Sequence, residues 1–289
     1  MLHVPVLLNE VIDSCPDNCN LIIDGTLGHG GHSSLLSSKT KQLIGMDLDS
    51  NMLLVAQKEL ESQIPNSQFP ITYIHDSYAN IDLVTKQYGK ADFILLDLGV
   101  NMDHFKVGDR GFSINYDSPL DMRFDQNSQI SAHDIINKYS AQQLEQIFID
   151  YADFTPAKSR EIADKIIQNR KKSEIKTTFD LKRILGECGL GKSAITVIFQ
   201  SIRIQTNNEI QNLKIFLENL SEVLSPGGVC SIITFHSIED RLVKKTFQSL
   251  VSTKAFELVN KKAIKPTYQE VKKNRASRSA LLRTIRLND

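Results

Sequence analysis

The chain has 289 residues, of which 41% are hydrophobic, and this is enough to bury the core of one large domain or two modest ones. Lys plus Arg and Asp plus Glu both number 34, and this neutral balance argues against a protein coated in basic charge for nucleic acid. No signal segment opens the chain and no apolar run approaches a membrane span, so we expect a cytoplasmic protein with no membrane partner. The cysteines lack a complete metal-ligand spacing, so we expect free thiols and no bound metal; they are Cys15, Cys19, Cys188 and Cys230.

The first third of the chain alternates between apolar runs and helical patterns. Four apolar runs predict strands at 20–24, 42–47, 71–74 and 91–97. Helices are predicted between them, at about 31–38, from the N-cap residues 49 and 50 to about 61, and up to about 88. Each run is continuously apolar rather than alternating, which is typical of a parallel sheet covered by helices on both faces.

The alternation stops at about residue 101 and returns after 207. Five segments between these points have apolar residues three and four apart and predict helices at 131–139, 141–151, 156–169, 177–188 and 193–204. The last part predicts a helix at 209–224, a strand at 229–235, a helix at 238–250 and an antiparallel pair of strands at 256–259 and 281–287. We therefore predict a doubly wound α/β domain formed by 1–102 and 208–289, interrupted by an inserted helical domain at 103–207.

The residues after the first strand, from Asp24 to Ser33, combine an acid with four glycines. Glycine tolerates positive φ and lets a ligand approach the backbone closely. Ligands of open α/β sheets bind beyond the carboxyl ends of the strands, where Asp24, Asp47 and Asp97 are each predicted. Asp47 follows the turn by about 20 residues, the spacing typical of a carboxylate that accepts the ribose hydroxyls of an adenosine ligand. A tight turn with the aspartates as helix caps is the alternative.

The spacing alone does not choose between NAD and S-adenosylmethionine as the adenosine ligand. The turn reads Gly-Thr-Leu-Gly-His-Gly-Gly, which is not the G-x-G-x-x-G fingerprint of dinucleotide-binding proteins. In addition, a late Ser-Pro-Gly-Gly turn and an antiparallel C-terminal pair are typical of methyltransferase sheets. Both details favour the methyl donor, S-adenosylmethionine.

Asp97 heads the motif Asp-Leu-Gly-Val at the end of the fourth strand, where amino-directed methyltransferases carry a short motif headed by Asp or Asn. The exocyclic amine of a base is a poor nucleophile because its lone pair is delocalised into the ring. An acceptor at hydrogen-bond distance can orient that amine for in-line attack. Asp97 is therefore the catalytic candidate, with a contact to the methionine part of the cofactor as the competing interpretation. His236, after the fifth strand, could act on a proton or make a structural hydrogen bond.

Six motifs occur in a characteristic order, at 24–33, 95–100, 110–113, 119–123, 235–241 and 275–279. Through them the chain resembles the bacterial 16S ribosomal RNA cytosine-N4 methyltransferase family over nearly its whole length. The resemblance implies a Rossmann-like class I S-adenosylmethionine-dependent methyltransferase sheet with an inserted all-helical subdomain that recognises substrate. It also implies transfer of a methyl group from S-adenosylmethionine to N4 of cytidine 1402 in 16S rRNA of the small ribosomal subunit.

The resemblance also implies site residues at the matching motif positions. The family's cofactor contacts fall on Gly30, Gly31, His32, Asp47, Tyr78, Asp97 and His104. His104 stands where the family usually has glutamine, and Tyr78 stands where it usually has phenylalanine. The remaining motif positions imply a substrate-facing wall formed by Arg110, Asp121, Arg123, His236, Ser237, Arg275 and Arg278.

The C-terminal segment 272–286 contains six basic residues and no acid. Phosphate contacts are one use of such a segment, and a solvated face that protects an edge strand is the other. The resemblance favours RNA, so we expect 16S rRNA or the small ribosomal subunit as the partner. An amine methyltransferase for another substrate and a non-catalytic adenosine-binding ribosome assembly factor remain the alternatives, and monomer and homodimer both remain open.

Overall fold

The computed structural model describes residues 5–64, 70–100 and 110–289. Its chain divides into two compact units. The first, here called the sheet unit, comprises Met1–Gly99 and Ile210–Asp289, and the second, the helical unit, comprises Val100–Glu209. Along the chain, the helical unit is therefore an insertion between the fourth and fifth strands of the sheet unit.

The strands of the sheet unit form one mixed sheet. They are β1 (Cys19–Asp24), β2 (Thr40–Asp47), β3 (Ile71–His75), β4 (Ala91–Asp97), β5 (Leu224–Thr234), β6 (Phe256–Leu258) and β7 (Leu281–Leu287). The order across the sheet is β3-β2-β1-β4-β5-β7-β6. Neighbours from β3 to β5 are parallel, whereas β7 is antiparallel to both β5 and β6. The predicted Rossmann-like sheet and its antiparallel C-terminal pair are confirmed.

The helices of the described residues, in chain order, are α1 (Leu8–Ser14), α2 (Gly31–Leu36), α3 (Ser50–Gln63), α4 (Ile81–Tyr88), α5 (Ala132–Lys138), α6 (Ala141–Ala152), α7 (Pro156–Arg170), α8 (Thr178–Glu187), α9 (Lys192–Thr206), α10 (Glu209–Glu218), α11 (Leu220–Val223), α12 (Ser237–Ser252) and α13 (Tyr268–Lys273). Short 3₁₀ turns occupy Ser37–Lys39, Tyr78–Asn80 and Arg275–Ser279. A search of the described helices finds none with the length and apolar character that crossing a membrane requires.

The sheet is buried on both faces, which explains its continuously apolar strands. Ile22 and Phe93 belong to the cluster on one face, and Ile23 and Ile94 belong to the cluster on the other. All four side chains are fully buried. Successive residues of a strand point to opposite faces, so an apolar residue is needed at every position when both faces are covered.

The helical unit begins its helices at hydroxyl caps. Ser131, Ser140 and Thr177 each accept a hydrogen bond from the backbone N–H three residues later, and an acid or amide at that position completes a capping box. The apolar faces of these helices pack into one core cluster that is separate from the clusters of the sheet. Helix α9, for example, contributes Ile198 and Ile202 to this core.

The prediction of one helix over 209–224 and a strand from 229 is wrong at that junction. Helix α10 ends at Glu218, the short α11 follows, and β5 already begins at Leu224, which pairs with Ala91 of β4. The Ser-Pro-Gly-Gly sequence is accommodated as an irregularity between the Ala91 and Phe93 pairings, with Gly227 at a φ of 71°. Pairing with β4 outweighs the local turn preference because it satisfies backbone groups of two strands in the middle of a buried sheet.

Candidate functional site

The carboxyl ends of the parallel strands place three acids at one edge of the sheet unit. Asp24 ends β1, Asp47 ends β2 and Asp97 ends β4. The register aligns Asp24 with Leu95 of the neighbouring strand, so the ends of β1 and β4 are adjacent. The structure therefore brings the predicted cofactor end and the predicted chemical end of the site to the same edge.

Asp24 holds the glycine turn in place. It is buried, its Oδ1 accepts from the backbone N–H of Thr26 at 3.2 Å, and its Oδ2 accepts from the Ser33 hydroxyl at 2.7 Å. Burial raises the pKa of this carboxyl to about 6, although the Ser33 hydrogen bond acts in the opposite direction. The side chain thus fastens the turn to α2 through the Ser33 hydroxyl, although it is not the cap of this helix, whose N-cap residue is Gly30.

Glycine is required in this turn for two different reasons. Gly28 and Gly30 have φ angles of 54° and 77°, a region that other residues adopt only with strain. Gly31 has ordinary geometry, but a Cβ there would stand 2.5 Å from Cγ of Pro5. The packing of the chain start against α2 therefore explains Gly31, whereas backbone conformation explains the other two.

Asp47 is oriented by the backbone around the turn. Its Oδ2 accepts from the N–H of Gly28 at 2.8 Å, and its Oδ1 accepts from the N–H of Asp49 at 2.9 Å. A carboxylate offers about four acceptor directions, so these two bonds are compatible with accepting ribose hydroxyls as well. The bond to Gly28 joins Asp47 directly to the glycine turn.

Tyr78 follows β3 and lies against the same turn. Its ring makes an edge-to-face contact with Phe216, with a centroid separation of 6.0 Å. A Cβ placed on Gly25 would be 3.0 Å from Cβ of Tyr78, which is tighter than an ordinary van der Waals contact, so Tyr78 lies directly against the turn. The ring is half-buried. The Tyr78 side chain therefore lies beside the glycine turn, and its role as a cofactor contact stays a prediction.

Asp97 is a largely buried carboxyl group at the end of β4, with 18% of its side chain exposed. Its backbone N–H donates to the Thr26 hydroxyl at 2.6 Å, and its Oδ1 accepts from the N–H of Gly99 at 3.3 Å. Burial raises its pKa to about 7, and the negative charge of Glu239 acts in the same direction. Thr26, a residue of the turn that the sequence arguments did not single out, therefore positions the backbone of the catalytic candidate.

His32 lies behind Asp97 and is almost completely buried. Its Nε2 is 2.9 Å from the carbonyl oxygen of Val6, which can only accept, so the neutral imidazole carries its proton on Nε2. Its Nδ1 is 3.8 Å from Oδ2 of Asp97. Burial lowers the pKa of His32, which favours the neutral ring. The side chain thus connects the chain start to Asp97.

His236 is the N-cap of α12. Its Nδ1 accepts from the backbone N–H of Glu239 at 3.4 Å, and the Glu239 carboxylate accepts from the N–H groups of Phe235 and His236. The Nε2 atom lies 2.9 Å from Oε1 of Glu239, in an arrangement that lacks hydrogen-bond geometry. The histidine is thus engaged in capping, and Ser237 beside it is exposed. The buried Glu239 was not predicted as a site residue, although its position three residues after a cap is a capping-box pattern.

In the helical unit, the predicted wall residues Asp121 and Arg123 bind each other. Two guanidinium nitrogens of Arg123 donate to the two carboxylate oxygens at 2.9 and 2.6 Å. Its Nη1 donates to the carbonyl oxygens of Gln126 and Ser128 at 2.9 and 2.7 Å. Burial opposes ionisation of Asp121, but the bonds from Arg123 outweigh it and lower the pKa of this carboxyl. Arg123, itself held by Asp121, therefore fixes the loop that continues to Ser128.

Arg110 belongs to the same loop cluster. Its Nη1 donates to the carbonyl oxygens of Arg123 and Phe124 at 3.4 Å each, and its guanidinium lies 5.7 Å from the ring centroid of Phe112. The rings of Phe112 and Phe124 stack at 5.6 Å. A shallow pocket of about 280 Å³ lies beside this cluster, lined by Pro119, Leu120, Asp121, Arg123, Ser131, His133, Asp134 and Lys176.

The basic C-terminal segment separates into two groups. Arg283 donates twice to Asp240, at 2.7 and 3.0 Å, and Arg286 donates to Glu257 at 2.8 Å, so these two are paired within the fold. Arg275 and Arg278 are exposed on the 3₁₀ turn before β7. His104, the remaining predicted cofactor contact, lies outside the described residues.

Searches of solved structures return distant likenesses. An rRNA methylase from Streptococcus thermophilus has a TM-score of 0.45 and 10% identity, with 98% of this chain and 94% of that one covered. A methyltransferase homolog protein from Pyrococcus horikoshii has a TM-score of 0.47 and 13% identity, with 99% and 68% covered. These likenesses are distant, and the strand order given above defines the fold.

Relatives found by sequence are much more similar to this chain than these solved structures are. A model of the MraW methylase family matches residues 1–288. The protein of Elusimicrobium minutum named ribosomal RNA small subunit methyltransferase H is 41% identical, with 97% of both chains covered. Proteins of the same name from Brachyspira hyodysenteriae and Borreliella burgdorferi are 36% and 39% identical, with 98% of this chain and 96% and 97% of their own covered. The family expected from the motifs is confirmed: the chain belongs to the MraW methylase family and is a methyltransferase that uses S-adenosylmethionine.

Proposed function

We propose that this chain methylates N4 of a cytidine in 16S ribosomal RNA, at position 1402, with S-adenosylmethionine as the donor. The observation that carries the proposal is the largely buried carboxyl of Asp97, whose backbone N–H is held by Thr26 of the glycine turn, at the same edge of the sheet as Asp47. The names of the relatives, which specify ribosomal RNA of the small subunit, support this class of substrate. Such a substrate would place the protein in the cytoplasm.

The described residues fit the adenosine and methionine parts of the donor. Asp47 would accept the ribose hydroxyls, Tyr78 would pack against the adenine or ribose, and the backbone of Gly30 and Gly31 would approach the ligand closely. His32 would contribute through its backbone and its contact with Asp97, because its ring is already engaged with Val6. Bound S-adenosylmethionine supplies a methyl group activated by a positively charged sulfur.

Asp97 would act on the nucleophile. A carboxylate accepts a hydrogen bond from the exocyclic amine and so directs the nitrogen lone pair at the methyl group. As the new N–C bond forms, the nitrogen must lose a proton, and a carboxyl group whose pKa lies near 7 is suited to accept it at neutral pH. A positive charge bound nearby favours the ionised, accepting form of Asp97.

The helical unit would recognise the RNA. Its loop cluster of Arg110, Asp121 and Arg123 is held by the hydrogen bonds described above, and the adjacent pocket is lined by His133 and Lys176, which both contact Glu174, and by the acids Asp121 and Asp134. In the sheet unit, the exposed Arg275 and Arg278 would contact phosphates, and Ser237 would lie exposed on the substrate side.

Transfer of tritium from labelled S-adenosylmethionine to small subunits that lack the modification tests this function. We expect label in 16S rRNA, recovered after nuclease digestion as N4-methylcytidine at one position. Asp97→Asn should abolish this label, whereas Asp82→Asn, a control on α4 where the acid pairs with Lys86, should not. Label on DNA or protein would instead indicate another amine substrate, and no label on any substrate would indicate a non-catalytic assembly factor.

A further inference from the structure

Tyr268 is the most exposed large apolar or aromatic side chain in the described ranges, at 83%. It is the first residue of α13, a short helix in which no residue is buried. A single exposed aromatic residue is common on protein surfaces and indicates nothing alone. The surroundings of this ring are what make it informative.

Four exposed cations accompany the ring. Lys272 follows it by four residues on the same helix and therefore shares its face, and Lys273, Arg275 and Arg278 follow. Within the described ranges, none of these four has an acidic side chain at ion-pair distance, in contrast to Arg283 and Arg286. We call residues 268–279 the basic platform.

The platform is fixed to the sheet unit rather than loosely attached. Oε1 of Glu270 accepts from the backbone N–H of Leu7 at 2.8 Å. The Asn274 side chain caps the 3₁₀ turn through the N–H of Ala276, and Ser277 is fully buried with its hydroxyl bonded to the carbonyl oxygen of Asn274. The backbone that carries the exposed side chains is therefore ordered before a ligand binds, which lowers the entropic cost of binding.

The platform adjoins the edge of the sheet that carries Asp97. It leads directly into β7, whose first residue Leu281 pairs with Thr234 at the carboxyl end of β5. The next residue of β7, Leu282, pairs with Ile233 of β5, and Ile233 pairs on its other side with Asp97 of β4. Leu282 is therefore two strands away from Asp97 in the same row of the sheet. A polymer bound on the platform would therefore reach the proposed site.

An exposed aromatic face with several unpaired cations fits unpaired nucleotides, whose bases stack and whose phosphates attract positive charge. We propose that the basic platform binds a single-stranded stretch of RNA, with one base stacked on Tyr268 and phosphates on Lys272, Arg275 and Arg278. This inference rests on the proposed function and adds a substrate-binding surface to it. A lipid surface fits less well, because one ring on a helix with no buried face provides little apolar area for insertion.

The chain contains no tryptophan, so a single Tyr268→Trp substitution provides a unique fluorescent reporter. We expect an unstructured pyrimidine oligoribonucleotide to quench this indole through stacking, and a fully paired RNA duplex of equal length to quench it weakly. The matched control is Gln87→Trp, which places the reporter on an exposed position near the end of α4, just before β4 begins and thus at the opposite edge of the sheet. This control should not respond to either RNA.

Substitutions without a reporter separate stacking from charge. Tyr268→Ala should weaken binding of the same oligonucleotide about tenfold and leave its salt dependence unchanged, whereas Tyr268→Phe should bind like the unaltered protein. Lys272→Ala should reduce the slope of log affinity against log salt concentration by about one unit, which corresponds to the loss of one phosphate contact. The thermal unfolding of Tyr268→Ala is measured as a control. A variant that loses affinity only because it misfolds would show no cooperative unfolding transition.

Two outcomes would overturn the inference: the Tyr268→Trp indole is insensitive to RNA while Tyr268→Ala binds normally, or the indole responds to anionic phosphatidylglycerol vesicles and not to RNA. Methyl transfer by the unaltered protein is measured in parallel. If methyl transfer is normal and either of these outcomes is found, the RNA-binding role of the platform would be rejected and the proposed function would stand. If RNA quenches the indole but no methyl transfer occurs, RNA binding by the platform would be supported and the proposed function would be rejected.

Discussion

Two aspartates that the motifs placed together in one predicted site have opposite environments. Asp97 in the sheet unit is largely buried, receives hydrogen bonds only from the backbone among the contacts described above, and has a pKa raised to about 7. Asp121 in the helical unit is held by both arms of Arg123, and its pKa is lowered. The comparison teaches that an acid left without a counter-charge is suited to proton chemistry, whereas a neutralised acid is suited to holding a loop.

The largest expected effect is on methyl transfer. Asp97→Asn keeps the size of the side chain but removes the charge and the ability to take a proton, so the rate should fall by about 100-fold or more. Asp121→Asn should change the rate much less if the Asp121–Arg123 pair serves the loop. Single-turnover transfer at saturating donor would measure both. Equal losses in the two variants would break the comparison.

The two acids should also affect stability with opposite dependence on pH. The folded pKa of Asp97 is raised from 3.8 to about 7, so the stability that its protonated form contributes is lost as pH rises between these values. The free energy of unfolding of Asp97→Asn should therefore increase relative to that of the unaltered protein as pH rises across that range, by on the order of 2–4 kcal/mol. The lowered pKa of Asp121 predicts the reverse, a contribution that is lost on acidification. Urea unfolding at a series of pH values would check both signs.

Removal of the guanidinium at Arg123 should act on stability rather than on the donor site. Arg123→Ala leaves the half-buried Asp121 and two loop carbonyls without their donor, and we expect a loss of about 2 kcal/mol. Arg160→Ala, which removes an exposed guanidinium from its pair with Glu145, should have a much smaller effect. If S-adenosylmethionine affinity fell in Arg123→Ala without loss of stability, Arg123 would belong to the ligand site instead.

The smallest expected change concerns donor binding at Asp47. Asp47→Ala should weaken S-adenosylmethionine binding about tenfold, because charge-assisted hydrogen bonds to hydroxyls are lost. Asp47→Asn, which keeps one acceptor for the Gly28 N–H, should lie between this variant and the unaltered protein. Titration calorimetry would measure the affinities. Unchanged affinity in both variants would contradict the assignment of Asp47 to the ribose.

Particular elements show why prediction from the sequence succeeded or failed. The strands ending at Asp24, Asp47 and Asp97 were predictable because a doubly covered sheet demands continuous apolar runs that stop at its edge. The start of β5 at Leu224 was not, because it depends on pairing with Ala91, which is more than a hundred residues away in the chain. The platform helix α13 was also missed, because its six residues have no apolar face to give a period.

The sequence by itself determined the family, the α/β sheet, the five helices in the described part of the insert, the glycine turn and the acid at the end of each of three strands, because each is visible as residue types in short local patterns. Only the tertiary structure decided which charged motif residues neutralise one another and which have no counter-charge among the residues that the structure describes. It separated Arg283 and Arg286, paired with acids, from the exposed Arg275 and Arg278, and Asp97 from Asp121. The physical reason is that burial and the distance to an opposite charge set the chemistry of an ionisable group, and both are properties of the folded chain.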